Sequence, residues 1–325
     1  MMTYLESVAK TVNKLMLTNK KYFYIGEDVR SGQKGISEGF EKKYGKKRVL
    51  DMPISESAFC GFALGLAIAG NRPIVEFNFS GLIFVSMDQI FNQASKFKEM
   101  TGGKKNIPII YLLPTGTKGG LACHHSDNPY SILAHLGIRS YMPTHSSQVE
   151  NVFKLATSKN EPVAIFLPVE EFRNTRNLKN NKYNGIQKIS ENRAESDLKK
   201  NITIICTGTT VNKSLEAVKS INLKYRLNCS VYGLSDISLE NKTKKIISQI
   251  KSKKFLIVDD SPYDFGVASQ IELVLRRNKI LKKDLIQSIT RTSNFIPFNE
   301  LLENSVRPTK QKIENKILKL LGTKL

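Results

Sequence analysis

Short apolar runs recur along the first half of the chain: "YFYIG", "PIVEFNF", "IPIIYLL", "IRSYM" and "VAIFLP". Polar or helix-periodic sequence separates each run from the next. Apolar runs of this length bounded by turn residues read as buried strands. Their alternation with helical patterns predicts an α/β fold with a mostly parallel sheet and helices on both faces. The stretch "MMTYLESVAKTVNKLML" sets Val8, Val12 and Leu15 on one face of an amphipathic helix. Residues 173–200, "RNTRNLKNNKYNGIQKISENRAESDLKK", are polar and lack a period, so a linker is expected there. Beyond it the rhythm resumes. "ITIICTG" reads as a strand closing on a Gly turn, "VNKSLEAVKSI" as a helix, "CSVYGL" as a strand, "NKTKKIISQI" as a helix and "KFLIVDD" as a strand. No segment repeats at a fixed period. Two doubly wound α/β domains are therefore expected, over residues 1–172 and 201–325.

Bulk properties narrow the class. The 325 residues are 40% hydrophobic, enough for buried cores. The longest apolar stretch, Ala58 to Gly70, is too short and too rich in Gly and Ala to cross a bilayer, and Asn71, Arg72 and Pro73 close it. The first residues lack a basic leader followed by an apolar core, which sets the expectation of a cytoplasmic protein with no membrane partner. The formal net charge of +21 invites a nucleic-acid hypothesis. The excess is mostly Lys spread through "KKYGKK", "NLKNNK", "NKTKK" and "KSKK" beside many Asn, without interleaved aromatics. A solvated Lys surface is the better expectation, with no nucleic-acid partner. Cys60, Cys123, Cys206 and Cys229 are far apart and form no CxxC pair, so free thiols are expected rather than a zinc site or a disulfide.

The candidate chemistry begins at "ISESAFCGFALGLAIAGNRP", residues 54–73, where a single carboxylate, Glu56, leads an apolar helix of small residues. Partial burial opposes its charge, whereas the helix N-terminus favours it. Capping of the helix and a functional role are both open to such a group. Gly61 and Gly65 lie four apart and permit close approach of another backbone, for packing or for association of subunits. His125, in the glycine-bounded segment "KGGLACHHSD", can donate to a developing alkoxide or shuttle a proton, and His124 adjoins it. His135 and His145 read as structural, because neither stands at metal-ligand spacing from a carboxylate or thiol.

Several motifs in order carry a resemblance: "GEDV" (26–29), "EGFEKKYGKKRVLDMPISES" (38–57), "GFALGLAIAGNRPIVEF" (61–77), "DQIFNQASKF" (88–97), Gly102–Gly103 and "HHSDNP" (124–129). Through them the first domain resembles the β subunit of the decarboxylating component of thiamine-diphosphate-dependent 2-oxoacid dehydrogenase complexes, such as the pyruvate and branched-chain dehydrogenases. The second domain resembles the transketolase carboxy-terminal domain of the same subunits through "TGTTVNKSLEA" and "DFGVASQIE".

The resemblance implies a transketolase-like pyrimidine-binding domain and a set of roles. A Glu at the position of Glu56 hydrogen-bonds a ring nitrogen of the cofactor's aminopyrimidine, which favours the imino tautomer that deprotonates the thiazolium carbon. Phe77, Phe79, Leu82 and Phe84 fall where the pyrimidine pocket is lined, and core packing is the competing expectation for each Phe. His125 matches the family's active-site histidine, and His124 is a neighbouring substrate candidate. Leu82 and Leu112 depart from an aromatic and an Arg common in the family, which bears on the substrate. The motif that holds diphosphate and Mg2+ in such enzymes, a "GDG" followed some thirty residues later by "NN", is not found in this sequence. An α-type partner is therefore expected to supply them, in an α2β2 assembly. The implied reaction decarboxylates a 2-oxo acid and passes the acyl or aldehyde unit to an acceptor such as lipoamide, with a lipoyl acyltransferase core as a further candidate partner. A transketolase-like or acyloin-forming synthase using a sugar or aldehyde acceptor is one alternative, and a non-catalytic scaffold subunit is another. Lys159 lies near a position where family members hold a structural monovalent cation; its ammonium either takes that cation's place or points to solvent.

Overall fold

The computed structural model describes residues 2–176, 178, 183–192, 201–225, 228–278 and 285–322. The chain divides into two compact units, Met1–Thr117 with His124–Lys182 and Lys118–Cys123 with Tyr183–Leu325.

In the first unit β1 (Tyr22–Gly26), β2 (Val49–Asp51), β3 (Arg72–Glu76), β4 (Ile110–Thr115), β5 (Arg139–Tyr141) and β6 (Val163–Pro168) form one sheet in the order β2-β1-β3-β4-β6-β5. Every pairing is parallel. β4 and β6 are buried at every position, as near-continuous apolar strands covered on both faces must be. The helix Tyr4–Thr18 opens on a capping box in which Thr3 and Glu6 bond each other's backbone N–H. It buries Tyr4, Val8, Val12 and Met16 at intervals of four; Leu15, expected on that face, is half-buried.

The second unit holds β7 (Ile186–Asn192), β8 (Asn201–Thr207), β9 (Asn228–Leu234), β10 (Lys254–Pro262) and β11 (Ile286–Arg291), in the order β11-β10-β8-β9-β7. All pairings are parallel except β7, which runs antiparallel to β9. Part of the expected linker is thus an edge strand. Ile186 and Ile189 face the core, while Gln187, Lys188 and Glu191 supply the wetter side that an edge tolerates. Residues 177, 179–182 and 193–200 of that segment lie outside the described residues.

The glycine-rich stretch Lys118–Cys123, expected within the first domain, packs with the second unit. Gly119 and Gly120 adopt φ of 103° and 71°, a left-handed backbone that side chains disfavour. Their N–H groups donate to Glu303 Oε2 at 3.2 and 2.9 Å. Glu303 is buried beside Arg307 (3.3 Å), which also meets buried Asp260 at 3.6 Å.

All four cysteines are free, and burial pushes the Cys60 and Cys229 thiols up to about 12. The Lys159 side chain makes no hydrogen bond with the described residues at the end of the helix Ser146–Ser158. The cation bonded there is Arg72, whose guanidinium donates to Thr157 O at 2.6 Å and Asn160 Oδ1 at 2.9 Å and lies over the Tyr22 ring. A planar fork anchored on an aromatic face suits this position better than a flexible ammonium.

Candidate active site

The carboxyl ends of β1 and β3 build the site, as open α/β sheets favour. Gly26 and Glu76 are register partners, and a Cβ on Gly26 would lie 2.5 Å from Glu76 O. Only glycine lets these strand ends approach so closely. Immediately after β1, Asp28 takes a left-handed φ of 55°, a conformation Asp tolerates, and turns the chain out of the sheet.

Glu27 precedes that turn. Its Oε2 accepts from Asn78 Nδ2 at 2.6 Å, and its buried Oε1 has no hydrogen-bond partner. Burial raises its pKa, and the nearby charge of Glu56 raises it further. Glu56 is the first residue of the helix Glu56–Ile68 and is 6% exposed. Its carboxylate accepts no hydrogen bond from the described residues. Ser55, at the N-cap, makes no side-chain cap either, so Glu56 is the acidic residue at an uncapped helix start.

A second carboxylate, Glu76, closes β3. It accepts from Tyr24 Oη at 2.8 Å, while its other oxygen is buried without a partner. Burial dominates, and its pKa is pushed up to about 7 despite the Tyr24 hydrogen bond and the charge of Lys34.

Past β3 the chain turns into a 3-10 helix, Ser80–Ser86. Phe79, just before it, is half-buried; the Lys34 ammonium lies 4.5 Å from its ring centroid, and the His125 ring meets it edge-on at 4.7 Å. The His125 segment is fastened beside Phe79. Ser80 Oγ donates to Asp127 O at 2.8 Å, and Gly81 lies so close to His124 O that a Cβ would stand 2.5 Å away. Asn128 Oδ1 accepts from Gly116 N and Thr115 Oγ1, both at 2.8 Å, which ties the same segment to the end of β4.

A chain of neighbours thus runs from His125 through the Phe79 ring to Lys34, and the charges of Lys34 and Glu56 are both felt by Glu27. His124 and His125 are both exposed. Phe77 does not join them: it is fully buried, edge-on to Phe59 at 5.5 Å and Tyr111 at 6.4 Å, which is a core position. Leu82 is half-buried and Phe84 is 46% exposed. Glu27, Lys34 and Asn78 carried no assignment from sequence. The position of Glu27 directly after a strand was the available signal; Lys34 had none in so lysine-rich a chain. Among the described residues no group of three or more His, Cys, Asp and Glu could hold a metal ion, and no helix is long and apolar enough to cross a membrane.

Residues 1–175 match the family described as transketolase, pyrimidine binding domain. The acetoin:2,6-dichlorophenolindophenol oxidoreductase subunit beta of Bacillus subtilis is 27% identical over 98% of this chain and 96% of its own length. The pyruvate dehydrogenase E1 component subunit beta of Staphylococcus epidermidis is 27% identical over 96% of each chain. The human mitochondrial protein of that name is 34% identical over 49% of this chain and 45% of its own. Among solved structures, a split-gene transketolase described as an inactive beta4 tetramer superposes with a TM-score of 0.75 at 17% identity, covering 100% of this chain and 99% of that one.

Proposed function

Since the chain belongs to the transketolase pyrimidine-binding domain family, we propose that it is the pyrimidine-binding subunit of a two-chain thiamine-diphosphate enzyme that decarboxylates a 2-oxo acid. The observation that carries this reading is Glu56 with Glu27: Glu56 is a buried residue at a helix start that makes no hydrogen bond with the described residues, and the Oε1 of Glu27, which feels its charge, is buried without a partner. A buried acceptor left open in the protein calls for a donor from elsewhere. A protonated ring nitrogen of the aminopyrimidine is such a donor, and the orphaned Oε1 of Glu27 beside it is a second acceptor. The residues present therefore fit the pyrimidine end of the cofactor.

When bound, thiamine diphosphate supplies a carbon nucleophile and an electron sink for the breaking carbon–carbon bond. The side chains of this chain do the rest. Burial and the charge of Glu56 raise the pKa of Glu27, and Glu56 at the helix start would accept the hydrogen bond from the pyrimidine. Phe79 holds the His125 ring edge-on and would line the pyrimidine end of the site. The His125 imidazole would be placed to donate to the substrate oxygen that gains charge. Phe77 supports the pocket from the core.

The diphosphate and its Mg2+ fall to an α-type partner in an α2β2 assembly. The exposed apolar side chains Ile54, Phe62, Phe84 and Val85, on and beside the Glu56 helix, supply a surface for subunit contact. No atom stands within 4 Å of a Cβ built on Gly65 of the same helix. Titration of thiamine diphosphate and Mg2+ into the chain alone and into the chain with its α-type partner tests this. Micromolar binding, about −8 kcal/mol, is expected of the pair only. Equally tight binding by the isolated chain would overturn the two-chain reading.

A further inference from the structure

Lys34 stands among the carboxylates of the site without being paired to any of them. Its charge is felt by Glu27 and Glu76. It forms no ion pair and no side-chain hydrogen bond with the described residues, and its ammonium is held instead over the Phe79 ring at 4.5 Å. An aromatic face fixes a cation in place yet leaves its N–H donors open to another ligand. The same ring meets His125 at 4.7 Å, so one aromatic ring separates the ammonium from the imidazole.

The charge of Glu56, felt by Glu27, opposes the entry of an anion to this site. A cation is needed for an anionic substrate to enter. The carboxylate that leaves as carbon dioxide is a poor partner for that cation, because its charge vanishes in the reaction, and clasping it would stabilise the substrate more than the transition state. An ammonium set one ring away from the histidine at the reacting carbon suits a different group.

We propose that Lys34 binds an anionic group, carboxylate or phosphate, on the donor substrate at the end remote from the reacting carbon, and so selects donors that carry one. This rests on the reading of Glu56 and His125 as a thiamine-diphosphate site.

The test uses the chain assembled with its α-type partner, with three 2-oxo acid donors: 2-oxobutyrate, whose tail is neutral, 2-oxoglutarate, with a distal carboxylate, and 3-phosphohydroxypyruvate, with a distal phosphate. The unmodified assembly should prefer one of the two anionic donors, and which one distinguishes carboxylate from phosphate. Lys34→Gln should raise KM for that donor by about thirtyfold, the range of a lost charge-assisted hydrogen bond, and change KM for 2-oxobutyrate far less. Lys34→Arg should recover most of the preference. A purely electrostatic role toward the carboxylates would move all donors together, and that result overturns the proposal, as does a preference for the neutral tail in the unmodified assembly. Exchange of the cofactor's thiazolium proton in the unmodified assembly separates the two failures. Without exchange the site reading falls and the proposal with it; with exchange and an unaltered preference in Lys34→Gln, the Lys34 assignment alone falls.

Discussion

Replacing Glu76 by Gln should make the chain more stable above neutral pH, although it removes a charged residue at the edge of the site. The carboxyl is buried, hydrogen-bonded to Tyr24 through one oxygen and unpartnered at the other, and its pKa is pushed up from 4.5 to about 7. In the unfolded chain the group ionises near its ordinary value. Between those two pH values the folded state therefore binds the extra proton, so stability falls as pH rises through the window and the loss is complete above pH 7. A shift of this size corresponds to about 3 kcal/mol. Glu76→Gln keeps the acceptor for Tyr24 and does not ionise. Urea unfolding of the purified full chain and of the variant at pH 5 and pH 8 measures the difference. Because part of the loss has already occurred at pH 5, the stability of the variant relative to the parent should rise by about 2–3 kcal/mol between the two pH values. A difference that stays flat, or that moves in favour of the parent at pH 8, would refute the claim that Glu76 is held in a desolvated site.

Two other perturbations probe the framework. Gly81→Ala puts a Cβ 2.5 Å from His124 O; it should cost about 1–3 kcal/mol in thermal or urea unfolding and shift the His125 imidazole resonances, whereas unchanged resonances would mean that residues 79–81 do not hold the histidine segment. Arg72→Met removes the donors to Thr157 O and Asn160 Oδ1 and should cost about 1–3 kcal/mol that added K+ does not restore; a melting temperature of the unmodified chain that rises in K+ but not in Na+ would contradict the role given to Arg72.

The runs read as strands in the sequence coincide with β1, β3, β4, β5, β6, β8, β9 and β10, most of them buried along nearly their whole length and therefore continuously apolar. β2 has three residues and β7 alternates polar with apolar, so neither stands out from loop sequence. At the site, Glu56 and His125 could be marked because family motifs surround them. Phe77 and Phe79 are two residues apart and look equivalent in sequence, yet one packs on Phe59 and Tyr111 and the other on Lys34 and His125. The turn into the 3-10 helix at Ser80 divides them, and no local pattern announces that turn. Glu27 and Lys34 acquire meaning only when β1 and β3 come side by side, a relation between segments distant in sequence. The glycines at 119 and 120 stood out in the sequence as the boundary of the His125 segment, but their acceptor, Glu303, did not.

The central claim is that Glu56 activates the cofactor bound between this chain and its partner. The most direct measurement is the rate at which the thiazolium C2 proton of thiamine diphosphate exchanges with deuterium in the assembled complex, followed by quenched-flow NMR. Glu56→Gln should assemble normally and slow the exchange by at least about a hundredfold, the effect of losing a positioned proton-transfer group. Exchange that remains as fast in the correctly assembled variant as in the unmodified complex would contradict the account.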